Sequence, residues 1–322
     1  MLAGWKLGPA LAAGNTVLLK PAPQTPLTSL ALGLSKVLPE GVLQVLPGGA
    51  DVGRGILGAV DRASFTGSTH VGQHILRDSA DRLLPLTLEC GGKNVVVVLP
   101  DADLDLTAEN ITMGAFSNAG QNCCAVSRVL VHRDVHDSLL DAIRDRLQAW
   151  TPASKTGGAS SSTAAGASMA YGPLIDQTQY DRVMQYRSHR APDMSAEESV
   201  LEEGFFVPPS VYTHVDDADR LATDEIFGPI LSVLKPFSDV NDAIRRANVL
   251  PYGLAAAVFS RSYPAAVQVA NQLRTGYVWV NTYNFMPPYA PFGGRRLSGI
   301  GKDLGQAALN EFTFTKTVVT QL

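Results

Sequence analysis

Thirty-four residues separate a glutamate and a cysteine whose types could serve one reaction. Cys123 stands in the polar, turn-forming run FSNAGQNCCAVSR (Phe116 to Arg128), and Glu89 in LTLECGGKN (Leu86 to Asn94), beside two glycines. A thiol can attack an electrophilic carbon to give a covalent intermediate, and a carboxylate can then direct water onto it. The apolar LTL before Glu89 predicts a partly desolvated carboxylate, the setting a general base needs. Any single cysteine is at least as often an inert core thiol. The GQN before Cys123 and Cys124 argues against a core strand, and Cys123 is read as the nucleophile with Glu89 as the base. Cys90 reads as a small packing residue.

Other residues suit ligand binding. Lys20 closes a short β-rich run, at the strand edge where doubly wound sheets hold ligands, and could meet a ribose hydroxyl or a phosphate. An isolated strand-end lysine is more often simply solvated. Gly67, Ser68 and Gly72 in GSTHVG lie between a strand and a helix, where free N–H groups and the positive helix end suit a pyrophosphate. That run lacks the GxGxxG fingerprint, so a plain glycine turn is the alternative. Glu225 and Phe227 in DEIFGP are a loop glutamate and an aromatic. Tyr283, Phe285, Tyr289 and Phe292 crowd a loop rich in Pro and Gly, where they either fill space or line a pocket mouth.

The elements that must position these residues alternate between strand and helix, which predicts an α/β architecture with parallel sheets. A helix ends near Ala13 with Gly14 as its stop. Strands are expected at Thr16 to Leu19, Val42 to Leu46, Arg62 to Phe65, Leu86 to Leu88, Val95 to Leu99, Val129 to Val131, Leu254 to Phe259 and Tyr277 to Val280. Helices are expected at Leu27 to Val37, from the GSTHVG turn through Arg77, and at Ala102 to Phe116, Asp137 to Trp150, Asp176 to Tyr186, Val240 to Asn248 and Pro264 to Leu273. The small, polar run at 151–170 reads as a flexible surface loop, and Phe312 to Val319 as a β-rich tail.

With 322 residues, 45% hydrophobic and 17% charged, the chain reads as globular and long enough for two domains. A net charge of −4 gives no electrostatic case for nucleic acid and favours small-molecule chemistry. Three cysteines, two of them adjacent, make no disulfide framework and point to a reducing compartment. None of the six histidines pairs with them at zinc-finger spacing, so no structural metal is expected. No apolar run reaches the roughly eighteen residues of a membrane span. Met1 opens no signal peptide; a cytoplasmic location is expected, with an organellar targeting peptide upstream of Met1 as the alternative. A chain that opens inside a core helix predicts further sequence upstream.

Taken together, the motifs resemble the NAD(P)-dependent aldehyde dehydrogenase superfamily. They run in order through WKLGPALAAGNTVLLKPA, QTPLT, FTGSTHVG, LTLECGGKN, DADLD, the GQNC loop, EIFGP, YGLAAAVF, NTYN, PFGGRRLSGIGKDLG and the tail KTV, and the Glu89 to Cys123 interval matches the family's spacing. The resemblance implies an α/β aldehyde dehydrogenase-like fold: the remainder of a Rossmann-like dinucleotide domain at 1–91, a catalytic domain at 92–296, and a return segment with a C-terminal oligomerising β arm at 297–322. It also chooses Cys123 over Cys124 by motif register. Cys123 would attack an aldehyde to give a thiohemiacetal that passes hydride to NAD or NADP and leaves a thioester, which water activated by Glu89 would hydrolyse. The Cys123 N–H would supply half of an oxyanion hole. Lys20, Gly67 and Ser68 would meet the adenosine ribose and pyrophosphate, Glu225 and Phe227 the nicotinamide ribose. Phe292 would line the substrate tunnel, and Asp303 stands where the family has a glutamate proposed to relay protons. A homo-oligomer is implied.

Departures from the family pattern shape these expectations. The family has about 150 residues before this point, including a PWNFP segment whose asparagine completes the oxyanion hole. The sequence therefore reads as a truncated member, and loss of one such donor typically costs about 10²- to 10³-fold in rate. Pro23 replaces the glutamate of KPAE that grips a ribose 2′-hydroxyl, which leaves NAD and NADP both open. The Leu27 to Gly41 segment and the loop before Val60 are short, 151–170 is an insertion, and a strand ending in Gly-Gly near residue 195 is missing. KPxP and NTYN are similar to betaine and aminoaldehyde members, whereas GKDLG followed by AALNEF is similar to the formyltetrahydrofolate dehydrogenase C-terminal domain. Two other functions fit the same residues: a binding or assembly subunit without turnover, and a cofactor-independent cysteine esterase.

Overall fold

A computed structural model describes residues 1–34, 37–153, 169–196 and 204–321. The chain forms two compact units, Met1–Cys90 with Met286–Leu322, and Gly91–Phe285.

The first unit alternates helix and strand: α1 (Leu2–Ala12), β1 (Val17–Leu19), α2 (Leu27–Leu34), β2 (Leu43–Val45), α3 (Ala50–Ala59), β3 (Ala63–Thr66), α4 (Thr69–Asp78) and β4 (Leu86–Glu89). Helix α1 stops where Gly14 turns left-handed (φ 83°) and donates its N–H to the Leu11 carbonyl, a conformation that costs a glycine little. Strand β1 pairs in parallel with β2, and β3 with β4. Two late elements complete the unit, β14 (Gly299–Ile300), antiparallel to β4, and α11 (Gly305–Glu311). At Gly299 (φ 133°) a Cβ would fall 1.9 Å from the Leu88 carbonyl oxygen, so only glycine lets the return segment lie against β4.

The second unit is built on a seven-stranded sheet, in which β5 (Val95–Val98), β6 (Arg128–Val131), β10 (Ser210–Val215), β11 (Ile230–Leu234), β12 (Ala255–Phe259) and β13 (Tyr277–Val280) run parallel. The spatial order is β13-β12-β5-β6-β11-β10-β9, with the short β9 (Met194–Ser195) antiparallel at one edge. Central strands such as VVVV of β5 are buried throughout, as a parallel sheet covered on both faces requires. The covering helices are α5 (Leu104–Phe116), α6 (His136–Leu147), α7 (Gln177–His189), α8 (Arg220–Thr223), α9 (Val240–Ala247) and α10 (Tyr263–Ala270). Side chains of Asp103, Asp176, Asp239 and Ser262 accept first-turn N–H groups and so set where α5, α7, α9 and α10 begin.

Several sequence expectations are corrected. Helix α2 is described only to Leu34, with 35–36 outside the described residues. Helix α6 stops at Leu147, because Trp150 enters a strand, β7 (Trp150–Pro152), paired in parallel with β8 (Met169–Tyr171). Both ends of the run expected to be a loop at 151–170 are therefore strand, while 154–168 lies outside the described residues. Near residue 195 there is a two-residue strand, β9, without the Gly-Gly ending of the family pattern. Strands β10 and β11 escape the pattern reading because their apolar runs are short and broken by Thr213, His214 and Ser232. Within β10 the register shifts at a left-handed His214 (φ 53°). Phe312–Gln321 forms no strand in the single chain, and Phe314, Val318 and Val319 are exposed. β-Branched composition favours a strand only where a neighbouring edge receives its N–H and C=O groups.

Candidate active site

In the second unit the candidate site is made where strands begin. After α5, Asn118 (φ 54°), Ala119 (φ 53°) and Gly120 (φ 68°) are left-handed in succession, which turns the chain sharply into GQNCC. Gly120 packs face to face with the EIFGP loop: a Cβ there would come within 2.1 Å of the Gly228 carbonyl oxygen. Asn94, buried just before β5, pins the cysteine turn by donating from Nδ2 to the carbonyls of Cys123 (2.9 Å) and Ala125 (2.9 Å). Its Oδ1 accepts the Ala255 N–H at the start of β12 (3.1 Å), so one amide side chain ties two strand starts to the loop. The Tyr283 hydroxyl donates to the Cys124 carbonyl (2.8 Å) and fixes the other end of the turn.

The two cysteines are thereby given different environments. Cys123 is half-buried, whereas Cys124 is only 1% exposed. Cys124 Sγ lies 3.3 Å from Asn122 Oδ1 and 3.5 Å from Asn284 Oδ1. Donation from the Cys124 thiol holds the Cys123 thiol below its ordinary range, against the opposing effects of burial and of the Glu225 charge. The same interaction, reinforced by burial, pushes Cys124 well above the ordinary range. Both effects favour ionisation of Cys123 over Cys124.

Glu225, Phe227, Lys93 and Asn122 line one small cavity of this unit. The Glu225 carboxylate lies directly over Gly91, where a Cβ would fall 1.9 Å from its oxygens, and it accepts the Gly92 N–H. The GG after Glu89 thus makes a seat for a distant glutamate, a role its sequence position does not announce. Burial raises the Glu225 carboxyl, countered by Arg182, the Gly92 N–H and Lys93. Burial, with Arg128 adding repulsion, lowers Lys93 to about 7. Phe227 is left-handed (φ 58°), its carbonyl held by Gln179 Nε2 (2.8 Å).

In the first unit the predicted residues gather where strands end. Glu89 closes β4 and is buried, with its Oε1 against Gly293, at which a Cβ would come within 2.4 Å of it. The Lys302 ammonium donates to the Gly293 carbonyl and is lowered by burial, an effect the Glu89 charge opposes. The Gly67 N–H donates to the Glu89 carbonyl (3.0 Å), so the GST turn and the glutamate are one piece of backbone. Ser68 caps α4, its Oγ accepting the Val71 N–H (3.3 Å); the plainer reading of its side chain holds alongside the helix-start one. Lys20 folds over the next loop and donates to the carbonyls of Pro21 (2.8 Å) and Gly48 (3.2 Å).

Phe292 and Asp303 face each other across a short antiparallel bridge with both backbone hydrogen bonds formed (2.7 and 2.8 Å). Phe292 is buried and stacks edge-on with Trp5, 5.7 Å between centroids. The buried Asp303 carboxylate pairs with Lys6 (3.0 Å), which also donates to Ser64 Oγ (2.9 Å). Lys6, Lys93, Asn94 and Asn122 were missed as site residues. Lys6 and Lys93 carry one signal that could have found them, a lone lysine inside an otherwise apolar or glycine-rich run.

Fold and site define a two-unit α/β protein with a half-buried cysteine in a left-handed turn of one unit and a glycine-marked strand-to-helix turn in the other. The family profile "Aldehyde dehydrogenase family" matches residues 1–318. The mitochondrial aldehyde dehydrogenase family 2 member B4 of Arabidopsis thaliana is 40% identical over 336 residues, covering 100% of this chain and 60% of that protein. Among solved structures, an indole-3-acetaldehyde dehydrogenase complexed with NAD+ superposes with a TM-score of 0.91 at 35% identity, over 100% of this chain and 66% of that one. The NAD+ complex of a Bacillus cereus aldehyde dehydrogenase gives 0.89 at 39% identity, over 98% and 65%. The chain belongs to the aldehyde dehydrogenase family and spans just under two thirds of the length of these relatives.

Proposed function

We propose that this chain oxidises an aldehyde to its carboxylic acid with NAD(P)+, with Cys123 as nucleophile and Glu89 as general base. The observation that carries the reading is the asymmetry of the cysteine pair: Cys123 is accessible and held toward its thiolate, while Cys124 is buried and held as a thiol. The thiolate adds to the aldehyde carbon to form a thiohemiacetal, and the backbone N–H of Cys123 steadies the developing oxyanion. Loss of hydride from that carbon leaves a thioester. Glu89 takes a proton from water as the water attacks the thioester carbonyl, releasing the acid and the Cys123 thiol.

The groups present fit a dinucleotide. The α4 start, beside Gly67 and Ser68, presents the positive end of a helix that would suit a pyrophosphate. Lys20 Nζ, bonded to the Pro21 and Gly48 carbonyls, would meet the adenosine ribose. Glu225, in its glycine seat, and Phe227 would hold the nicotinamide ribose. When bound, the nicotinamide supplies the hydride acceptor. Phe292 would bound the substrate path and Asp303, through Lys6, would hold protons near it. Two relatives are described as NAD+ complexes, which supports this cofactor class. We assign residues 1–91 to the dinucleotide-binding region and 92–296 to the catalytic region. The exposed apolar tail supports pairing with another copy. Among the described residues no helix is long and apolar enough to cross a membrane.

The test is cofactor reduction with a panel of aldehydes, comparing the chain with Cys123→Ala. Replacement should remove aldehyde-dependent reduction by a factor on the order of 10⁴ or more. Reduction that persists in Cys123→Ala would sink the mechanism. Cysteine-dependent ester hydrolysis with no cofactor reduction would assign the site to esterase chemistry instead.

A further inference from the structure

Helix α4 carries two histidines one turn apart, His70 and His74, both exposed. Residues at i and i+4 share a helix face, and here the rings turn toward one another: the Nε2 atoms are 3.1 Å apart and the ring centroids 4.5 Å. Neither histidine builds the helix, since Ser68 caps it and Gly72 is its buried residue. At that spacing the two nitrogens are within hydrogen-bonding distance of each other and close enough to bind one cation together. Bonds of about 2.0–2.1 Å from each nitrogen to one cation would enclose an angle of roughly 100°. That value falls between the angles of octahedral and tetrahedral coordination.

We propose that His70 and His74 form a two-histidine surface site for a late first-row divalent cation, Cu²⁺, Ni²⁺ or Zn²⁺, with water in the remaining positions. Imidazole suits these metals, whereas Mg²⁺ and Ca²⁺ favour oxygen ligands. Among the described residues no group of three or more His, Cys, Asp or Glu converges on a point. The site is therefore open and exchangeable, unlike the four-ligand structural zinc site that the histidine and cysteine spacing argues against. Along the same helix Arg77 opposes a bound cation, while Asp78, one turn beyond His74, favours it. Both ligands meet only when α4 is helical, so occupancy stabilises the folded state.

Calorimetric titration of the full chain with NiCl₂ or ZnCl₂ tests this. An accessible thiol such as that of Cys123 can also take up such cations, so the diagnostic quantity is the bound equivalent that depends on histidine. One equivalent should be lost, or weakened at least about tenfold, in His70→Ala and in His74→Ala. It should be kept in His189→Ala, and MgCl₂ should give none. Alanine is a better helix former than histidine, and His74→Gln provides a second variant that keeps a polar side chain of similar reach. Unchanged nickel stoichiometry and affinity in both His70→Ala and His74→Ala would overturn the proposal, as would an equal loss in His189→Ala.

Discussion

The two units place their candidate residues at opposite ends of parallel strands. In the first, Lys20, Gly67, Ser68 and Glu89 all stand at or just past the ends of β1, β3 and β4. There the start of α4 follows β3, and the positive end of that helix is a setting made by backbone chemistry. In the second unit, Asn94, Cys123, Glu225 and Phe227 all come before the strands they lead into, β5, β6 and β11. That site is held by side-chain amides, close glycine contacts and a run of left-handed residues. The second arrangement is correspondingly more sensitive to single substitutions.

That difference can be broken or sharpened by mutation. Gly120→Ala places a Cβ against the Gly228 carbonyl in a left-handed conformation, and should destabilise by about 3 kcal/mol or more in a denaturant titration. A wild-type midpoint would show that the two loops can part without cost and that the second site is not so constrained. Asn94→Ala leaves the buried Cys123 and Ala125 carbonyls and the Ala255 N–H without their partner, and should cost about 2–3 kcal/mol. It should also slow alkylation of Cys123, because the turn is no longer held. Ser68→Ala removes only a helix cap, with an expected loss of about 1 kcal/mol. If it weakened the protein as much as Asn94→Ala, the contrast between the units would fail.

The smallest effect concerns proton chemistry. Donation from Cys124 favours the Cys123 thiolate, so Cys124→Ala should raise the pH at which Cys123 becomes reactive. The check is the rate of iodoacetamide alkylation against pH. A profile that stays in place or moves to lower pH would show that the hydrogen bond to Cys124 does not hold the thiolate.

Much of the first unit was legible in the chain itself. The GST turn, the strand-end lysine and the stop at Gly14 follow from local rules, since the residues that act are neighbours in sequence. In the second unit the motif GQNCC marked the cysteine but not its supports. Asn94 lies 29 residues before Cys123 and Tyr283 lies 159 after Cys124, and no local pattern links them. Strands β10 and β11 were missed for a related reason: their short, interrupted apolar runs become strands because neighbours on both sides accept their hydrogen bonds.

Residue types and order therefore determined the α/β class, the family and the choice of Cys123 and Glu89 as candidates, because nucleophilicity, turn formation and strand–helix alternation are properties of the local chain. Tertiary structure alone decided which of two adjacent thiols is accessible, that Gly91 and Gly92 seat the carboxylate of Glu225, that Asn94 ties two strand starts to the cysteine turn, and that Lys6 pairs with Asp303. Those outcomes rest on burial and on hydrogen bonds between segments far apart in sequence, and these exist only once the strands have paired.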